Sequence, residues 1–499
     1  PTFHQYWYFH FWYYQNWYYQ NWYFIPMNHM ESSRPPELFD RAAEWRTLES
    51  LWTRTRPDLA LVVGRRRVGK SYLLTRFTQQ VGGIYYQATR RTEAEQLASL
   101  TRIIGEHFDD AALMHGIALP SWEELFGYLT RRADGNPFLL VLDEFPYLAG
   151  AAPALTSIIQ SLWDHAWPTT RMKLVLSGSY ITVMNQLEQV DQPLYGRRTS
   201  KLVLGPFGFP DAALFIPEYD VREQMVAYGL FGHLPGNLSL VNATHSLAEN
   251  VSEILLDPAG RLADEALHML DAFTGDAHVH YSIIEAIAGG EQTWGGITKR
   301  IGRVGGALHR AVRWLEEMEV IERVVPVTEP NPQRSKRAVY RIVDPYVAFW
   351  HRTLAPLVNS GRLGLVPPEQ LWSEVAPGLD NYMGPVFEQI CRNFVRHTDR
   401  LPFRPVRVGE WWDSTSQNQV DVVAIGGNGE LLVAECKWGR ITGAHLRTLR
   451  ARASLVSAEA GGIVRIHLAL FTSRHDVDDE IRREVESGAV LLFTSHDLR

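Results

Sequence analysis

The chain has 499 residues, 45% hydrophobic and 21% charged, which excludes disorder throughout and, at this length, a single core; roughly two to four domains are expected. Its net charge of −7, from 49 Lys and Arg against 56 Asp and Glu, confines any nucleic-acid contact to a local basic patch, because the overall field repels phosphate. Two cysteines, Cys391 and Cys436, exclude a disulfide framework and point to a cytoplasmic setting, and no run reaches the roughly eighteen apolar residues of a membrane span.

Residues 1–30 contain no charged side chain and repeat the pentad Tyr-Tyr-Gln-Asn-Trp at 13–17 and 18–22. A period of five suits neither a helix face nor strand alternation. The segment is expected to be a low-complexity, non-native leader, with Met27 or Met30 as the natural start; an aromatic tail that lies on membranes or stacks on bases is the functional rival.

Asp58-Leu-Ala-Leu-Val-Val63 reads as a buried strand leading into Gly64-Arg65-Arg66-Arg67-Val68-Gly69-Lys70-Ser71, which satisfies G-x-x-x-x-G-K-[ST]. Tyr72 and the residues after it continue with helical periodicity, so strand, glycine loop and helix stand in the order the motif requires. Backbone amides from Gly64 to Tyr72 would wrap phosphates at a helix N-terminus. Lys70 would face the β- and γ-phosphates of ATP, and Ser71 would ligate Mg²⁺.

Pro137-Phe-Leu-Leu-Val-Leu-Asp143-Glu144 is a second buried strand, ending in two acids. Asp143 suits the metal side and Glu144 suits polarising water, so the pair favours hydrolysis over nucleotide holding; acids that cap the next helix are the plain alternative. Lys173-Leu-Val-Leu-Ser177-Gly-Ser179 ends a third strand, with either serine a candidate γ-phosphate contact or part of a turn. Arg197 and Arg198 sit in a loop, either as stabilisers of γ-phosphate charge, in cis or from a neighbouring subunit of a homo-oligomer, or as surface ion-pair partners.

Residues 281–288, 296–301 and 306–318 read as three helices, followed by strands over 320–325 and 338–342, a helix-turn-helix with a wing. Leu308, Val312 and Leu315 share one stripe of the third helix, opposite His309, Arg310 and Arg313. Arg334, Lys336 and Arg337 fall at the hairpin tip. Between Lys299 and Arg341 there are ten Lys or Arg against five Asp or Glu, the local sign reversal that DNA phosphate contact needs. A protein-docking role is the alternative.

In the last segment, Glu388 lies on an expected helix over 382–395, and strands are expected over 406–412, 419–425 and 431–438. Asp421 lies on the second strand, with Glu435 and Lys437 on one face of the third. Asp421 and Glu435 would hold a divalent ion, Lys437 would lie near the attacking water or scissile phosphate, and Glu388 would complete the cluster. A buried ion pair of Glu435 with Lys437 or Arg440 is the alternative, and Cys436 points to the opposite face as core.

These segments together resemble the archaeal-type P-loop ATPases of the AAA+/STAND class that carry a C-terminal nuclease-like domain. The resemblance rests on Phe39-Asp-Arg41-Ala-Ala-Glu44, the glycine loop, Leu142-Asp-Glu-Phe-Pro-Tyr147, Leu176-Ser-Gly-Ser179, Pro193-Leu-Tyr-Gly-Arg197, Asp344-Pro-Tyr-Val-Ala-Phe-Trp350, Gly384-Pro-Val-Phe-Glu388 and Ala434-Glu-Cys-Lys-Trp438. Gln419-Val-Asp421 and Glu435-Cys-Lys437 resemble the PD-(D/E)xK nuclease core. Gly232-His-Leu-Pro-Gly236 departs from the family, which usually shows a glycine pair before the proline. The resemblance implies that Phe39 to Glu44 opens the nucleotide domain on the adenine side.

The expected architecture is α/β. A P-loop NTPase core with a parallel sheet spans 31–210, a helical lid 211–280, a winged helix 281–345, a linker 346–380 and a small α/β restriction-endonuclease-like domain 381–499. ATP hydrolysis with Mg²⁺ is expected to drive a DNA-directed output, namely Mg²⁺-dependent cleavage. The alternative is an ATP-dependent switch that binds DNA or protein without cutting.

Overall fold

All six side chains of Asp58-Leu-Ala-Leu-Val-Val63 are buried in the computed structural model, where they form β1 (Asp58–Val63). The structure describes residues 34–133, 135–179, 181–271, 277–302 and 305–499; the leader over 1–30 and Arg303 of the basic segment lie outside the described residues. Leu59, Leu61 and Val63 enter the core under α3 (Glu93–Phe108) and α4 (Trp122–Ala133). Ala60 and Val62 enter the opposite one, under α1 (Ala42–Thr53) and α2 (Lys70–Val81). Helices on both faces explain why the strand is apolar throughout and does not alternate.

β3 (Phe138–Asp143) and, after α5 (Phe145–Ala151) and α6 (Leu155–Ser161), β4 (Met172–Gly178) are buried in the same way. With β2 (Ile84–Gln87) and β5 (Ser200–Val203) they make a five-stranded parallel sheet in the order β2-β3-β4-β1-β5. Because β4 separates β1 from β3, whatever ends β4 stands between the loops that follow the other two. That order positions the site.

The described residues of 207–403 are mainly helical and share one core with half of the last domain. It takes in α7 (Val221–Phe231), α8 (Glu265–Asp271), α9 (Ala277–Ala288), α10 (Trp294–Ile301), α11 (Gly306–Glu317) and the antiparallel hairpin β6 (Ile321–Val324) and β7 (Val339–Ile342). The expected linker over 346–380 is a correction. α12 (Pro345–Phe349) and the helical segments after it bury Tyr346, Val347, Phe349, Trp350, Leu354 and Leu371, too much apolar surface to leave in water. Pro367-Pro368 marks only the start of another helix, with proline in its first turn.

α13 (Leu379–His397) leads into β8 (Pro405–Trp412), β9 (Gln419–Gly426), β10 (Glu430–Lys437), α14 (Gly443–Ala460), β11 (Arg465–Thr472), α15 (Asp479–Glu486) and β12 (Leu491–Thr494). The three expected strands lie within one residue of the observed ones. The sheet order is β12-β11-β10-β9-β8. β8, β9 and β10 pair antiparallel, and β10, β11 and β12 parallel. One face, with Ala424, Leu432, Ala434 and Cys436, joins the core of α13; the other packs Val423, Leu431 and Val433 on Leu446 and Leu449 of α14.

Candidate functional site

The chain leaves β1 through a loop that only glycine fits at its first position, since a Cβ on Gly64 would stand 2.5 Å from the Leu204 carbonyl oxygen. Arg67 and Gly69 take left-handed backbone at φ 64° and 95°, and α2 starts at Lys70. The Lys70 ammonium folds back on its own loop, donating to the carbonyls of Gly64 at 2.8 Å and Arg65 at 3.0 Å and to Ser179 Oγ at 2.9 Å. Burial pushes its pKa down to about 8, against the pull of Glu144 and Asp143.

Asp143, at the tip of β3, gathers three donors. Ser71 Oγ and the Tyr85 hydroxyl donate to Oδ2 at 2.6 and 2.5 Å, and the Glu144 amide donates to Oδ1 at 2.9 Å. Glu144 sits at φ 50°, a backbone state rare outside glycine, and its carboxylate accepts the Ser179 hydroxyl at 2.8 Å. Ser179 therefore bridges Lys70 to Glu144, and the sheet order accounts for it: β4 ends between the other two tips. Ser177, the other candidate, is buried with no hydrogen-bond partner among the described residues. Tyr85 escaped sequence reading, because one tyrosine in a four-residue strand carries no signal. The Ser71 and Asp143 oxygens, adjacent and hard, fit Mg²⁺.

The remaining loop positions divide. Val68 packs in the core and Arg66 is exposed. Tyr72 lies on α2 under the Arg76 guanidinium, 5.2 Å from its ring centre. The Arg65 side chain is buried against Asp344, and Arg67 reaches Asn237 and Glu265. Upstream, Arg41 donates to the carbonyls of Val68 and Gly205, tying the segment before α1 to the same loop.

Arg197 takes the ion-pair arrangement. Its guanidinium grips both carboxylate oxygens of Asp164, at 2.9 and 2.6 Å, and two nearby carbonyls. Arg198 pairs with Glu188 at 2.7 Å. Both side chains are thus engaged by neighbouring acids in this structure.

In the last domain, Asp421 Oδ2 accepts the Cys436 amide at 2.8 Å, which sets it one residue from Glu435 on the neighbouring strand. Burial, with Glu388 and Glu435 nearby, raises the Asp421 pKa to about 7. Lys437 Nζ lies 2.6 Å from Glu435 Oε1, and Arg452 lies 3.4 Å from Oε2. Arg440 pairs instead with Asp478. Glu388 stands 3.7 Å from Arg392, which donates to the Asp421 carbonyl. Among the described residues no three His, Cys, Asp or Glu side chains form a metal cage. Two adjacent carboxylates, one pushed up by burial and acidic neighbours, still offer the hard oxygens a divalent ion takes.

The hairpin leans on this domain. Arg341 of β7 pairs with Glu410 of β8 at 2.6 Å, Arg337 pairs with Glu459 and Glu329, and Val327 donates its amide to the Glu410 carbonyl at 2.9 Å. Lys299, Arg300, Arg310, Arg313, Arg334 and Lys336 are exposed and make no ion pair among the described residues. His309 stacks on Trp294, ring centres 4.2 Å apart. Among the described residues no helix is long and apolar enough to cross a membrane.

A family model described as an ATPase domain predominantly from Archaea matches residues 38–241, and one described as archaeal and bacterial proteins of unknown function matches 350–449. An uncharacterized protein of Methanocaldococcus jannaschii is 27% identical over 416 residues, covering 80% of this chain and 87% of that one. Among solved structures, the Walker-type ATPase of Pyrococcus abyssi is 23% identical with a TM-score of 0.49, over 65% of this chain and 99% of that one. The ORC2 protein of Aeropyrum pernix is 14% identical with a TM-score of 0.42, over 67% and 97%. The glycine loop, the acid-tipped strand and the parallel sheet all fall inside the first match, so residues 38–241 carry a P-loop α/β fold and are similar in sequence to that ATPase domain.

Proposed function

We propose that the chain hydrolyses ATP and couples that cycle to a DNA-directed module in its C-terminal half, which cuts DNA with a divalent metal. The bridge from Lys70 through Ser179 to Glu144, beside Ser71 and Asp143, carries the reading. Amides from Gly64 to Tyr72 would wrap the phosphates, and Lys70 would exchange two carbonyl acceptors for phosphate oxygens. Ser71 and Asp143 would hold Mg²⁺, whose part is to neutralise charge on the phosphate oxygens. Glu144, held by Ser179, would orient the attacking water.

For the output, one helix, three antiparallel strands, a helix and a parallel strand enclose Asp421, Glu435 and Lys437, an order that supports the nuclease-like reading. Asp421 and Glu435 would hold the ion, Lys437 would face the scissile phosphate, and Glu388 would tune their charge. The cations on α10 and α11, without an ion pair among the described residues, suit duplex phosphate; those on the hairpin facing β8 do not, since acids hold them. Winged-helix contact with DNA is thus read onto the helical face, not onto Arg337 and Arg341.

A second reading, a switch that binds without cutting, draws on Glu435 being already paired with Lys437 and Arg452. Plasmid incubated with Mg²⁺ or Mn²⁺, with and without ATP, separates the two. Cleavage lost in the Glu435→Ala/Lys437→Ala variant supports the nuclease, and plasmid intact throughout supports the switch.

A further inference from the structure

The ATPase match ends at residue 241, yet the nucleotide loop is held from well beyond it. Arg65 Nη2 lies 2.8 Å from Asp344 Oδ2, and both side chains are at least 97% buried, at 3% and 1% exposure. The other Arg65 nitrogen donates to the Glu319 carbonyl, at the turn between α11 and β6. Arg67 reaches Glu265 of α8 at 2.8 Å, and its own carbonyl accepts the Gly236 amide at 3.0 Å.

Asp344 is itself fixed. Its Oδ1 accepts the Val347 amide and caps α12. Two side chains of that helix and the turn after it, Tyr346 and Trp350, donate to the Leu262 and Ala263 carbonyls at 2.7 Å each. Gly232, at φ 83°, allows the close passage, since a Cβ there would meet Tyr346 Cβ at 2.8 Å. Burial pushes the Asp344 carboxyl up, but Arg65 and His233 beside it win and hold it well below the usual carboxylate range.

The chain of contact runs on into the site. Arg65, gripped by Asp344 through its side chain, offers its carbonyl to the Lys70 ammonium. A buried ion pair gains little over two apolar side chains of similar volume, so stability alone does not account for spending one here.

We propose that Asp344 is a positioning residue of the nucleotide site. Acting through Arg65, it holds the glycine loop in its phosphate-receiving shape, so nucleotide affinity depends on the module that follows the ATPase domain. The inference rests on the loop being the nucleotide site. Linkage makes it reciprocal: bound nucleotide changes the grip on Asp344 by the same factor.

The test uses the full chain, with Glu144→Gln present throughout to prevent turnover, and measures both Mg²⁺-ATP affinity and Tm. Asp344→Asn is expected to weaken binding by at least about fivefold, the low end of coupling between sites. Arg65→Leu/Asp344→Leu, which leaves no orphan charge, is expected to recover Tm while keeping the loss of affinity. Recovery of both in the double variant, or wild-type affinity in Asp344→Asn, overturns the proposal as a merely structural pair. No binding by the parent Glu144→Gln chain overturns the nucleotide site itself, and the proposal with it.

Discussion

The Ser179 hydroxyl stands between Lys70 and Glu144, accepting from the ammonium at 2.9 Å and donating to the carboxylate at 2.8 Å. With β4 lodged between β1 and β3, a short polar side chain just past its tip reaches both. Ser179→Ala leaves the glycine loop intact and frees the Glu144 carboxylate to turn. Nucleotide affinity is expected to stay within a few-fold, while turnover falls about a hundredfold, the low end of what a positioned general base contributes. Equal loss of affinity and turnover would contradict this.

Tyr85 gives Asp143 a donor that does not belong to the glycine loop. When Ser71 turns toward a metal ion, Tyr85 and the Glu144 amide remain to hold the carboxylate. A hydrogen bond to a charged group is worth about 1.5–3 kcal/mol. Tyr85→Phe should therefore raise the Mg²⁺ concentration for half-maximal ATP turnover roughly tenfold, with metal-free nucleotide binding unchanged. An unaltered Mg²⁺ dependence removes Tyr85 from the site.

His351 sets an acid limit on stability. It is buried beside Tyr281 and Trp350, with ring centres 4.9 and 5.0 Å away, and neither ring nitrogen has a hydrogen-bond partner among the described residues. Burial lowers its pKa from 6.5 to about 4. As pH falls below about 6.5 the unfolded chain takes a proton that the native one refuses until about 4, so native stability declines across that window. The loss is on the order of 3 kcal/mol. Urea unfolding of wild type and His351→Phe at both ends of the window should show the variant losing less by about that amount; parallel losses would sink the assignment.

Arg197 is committed to Asp164 on the surface. Arg197→Ala is expected to leave ATP turnover within about twofold, against the thousandfold or more that a transition-state arginine supplies. A drop of the larger size, steepening on dilution, would place Arg197 at a neighbouring subunit's phosphate.

Legibility in the sequence followed the range of the interactions. The glycine loop, the Asp143-Glu144 tip and the buried strands were readable because local backbone chemistry and solvent-free faces dictate residue type there. The three antiparallel strands of the last domain were placed within a residue for the same reason. Contacts between distant segments left no such trace: Arg65 and Asp344 are 279 positions apart, and nothing local marks either as the other's partner. The basic count over 299–341 likewise could not separate Arg337 and Arg341, which acids hold, from Lys299, Arg300, Arg310 and Arg313, which make no ion pair among the described residues. The aromatic run after Asp344 was the one missed local signal, since Tyr346, Phe349 and Trp350 are not linker residues.

Phosphate release from ATP with Mg²⁺, compared between the wild-type chain and Lys70→Ala, bears most directly on the whole account. Steady release by the wild type and none above background by the variant is the predicted result. Equal release by both, or none by either from folded protein, would contradict it.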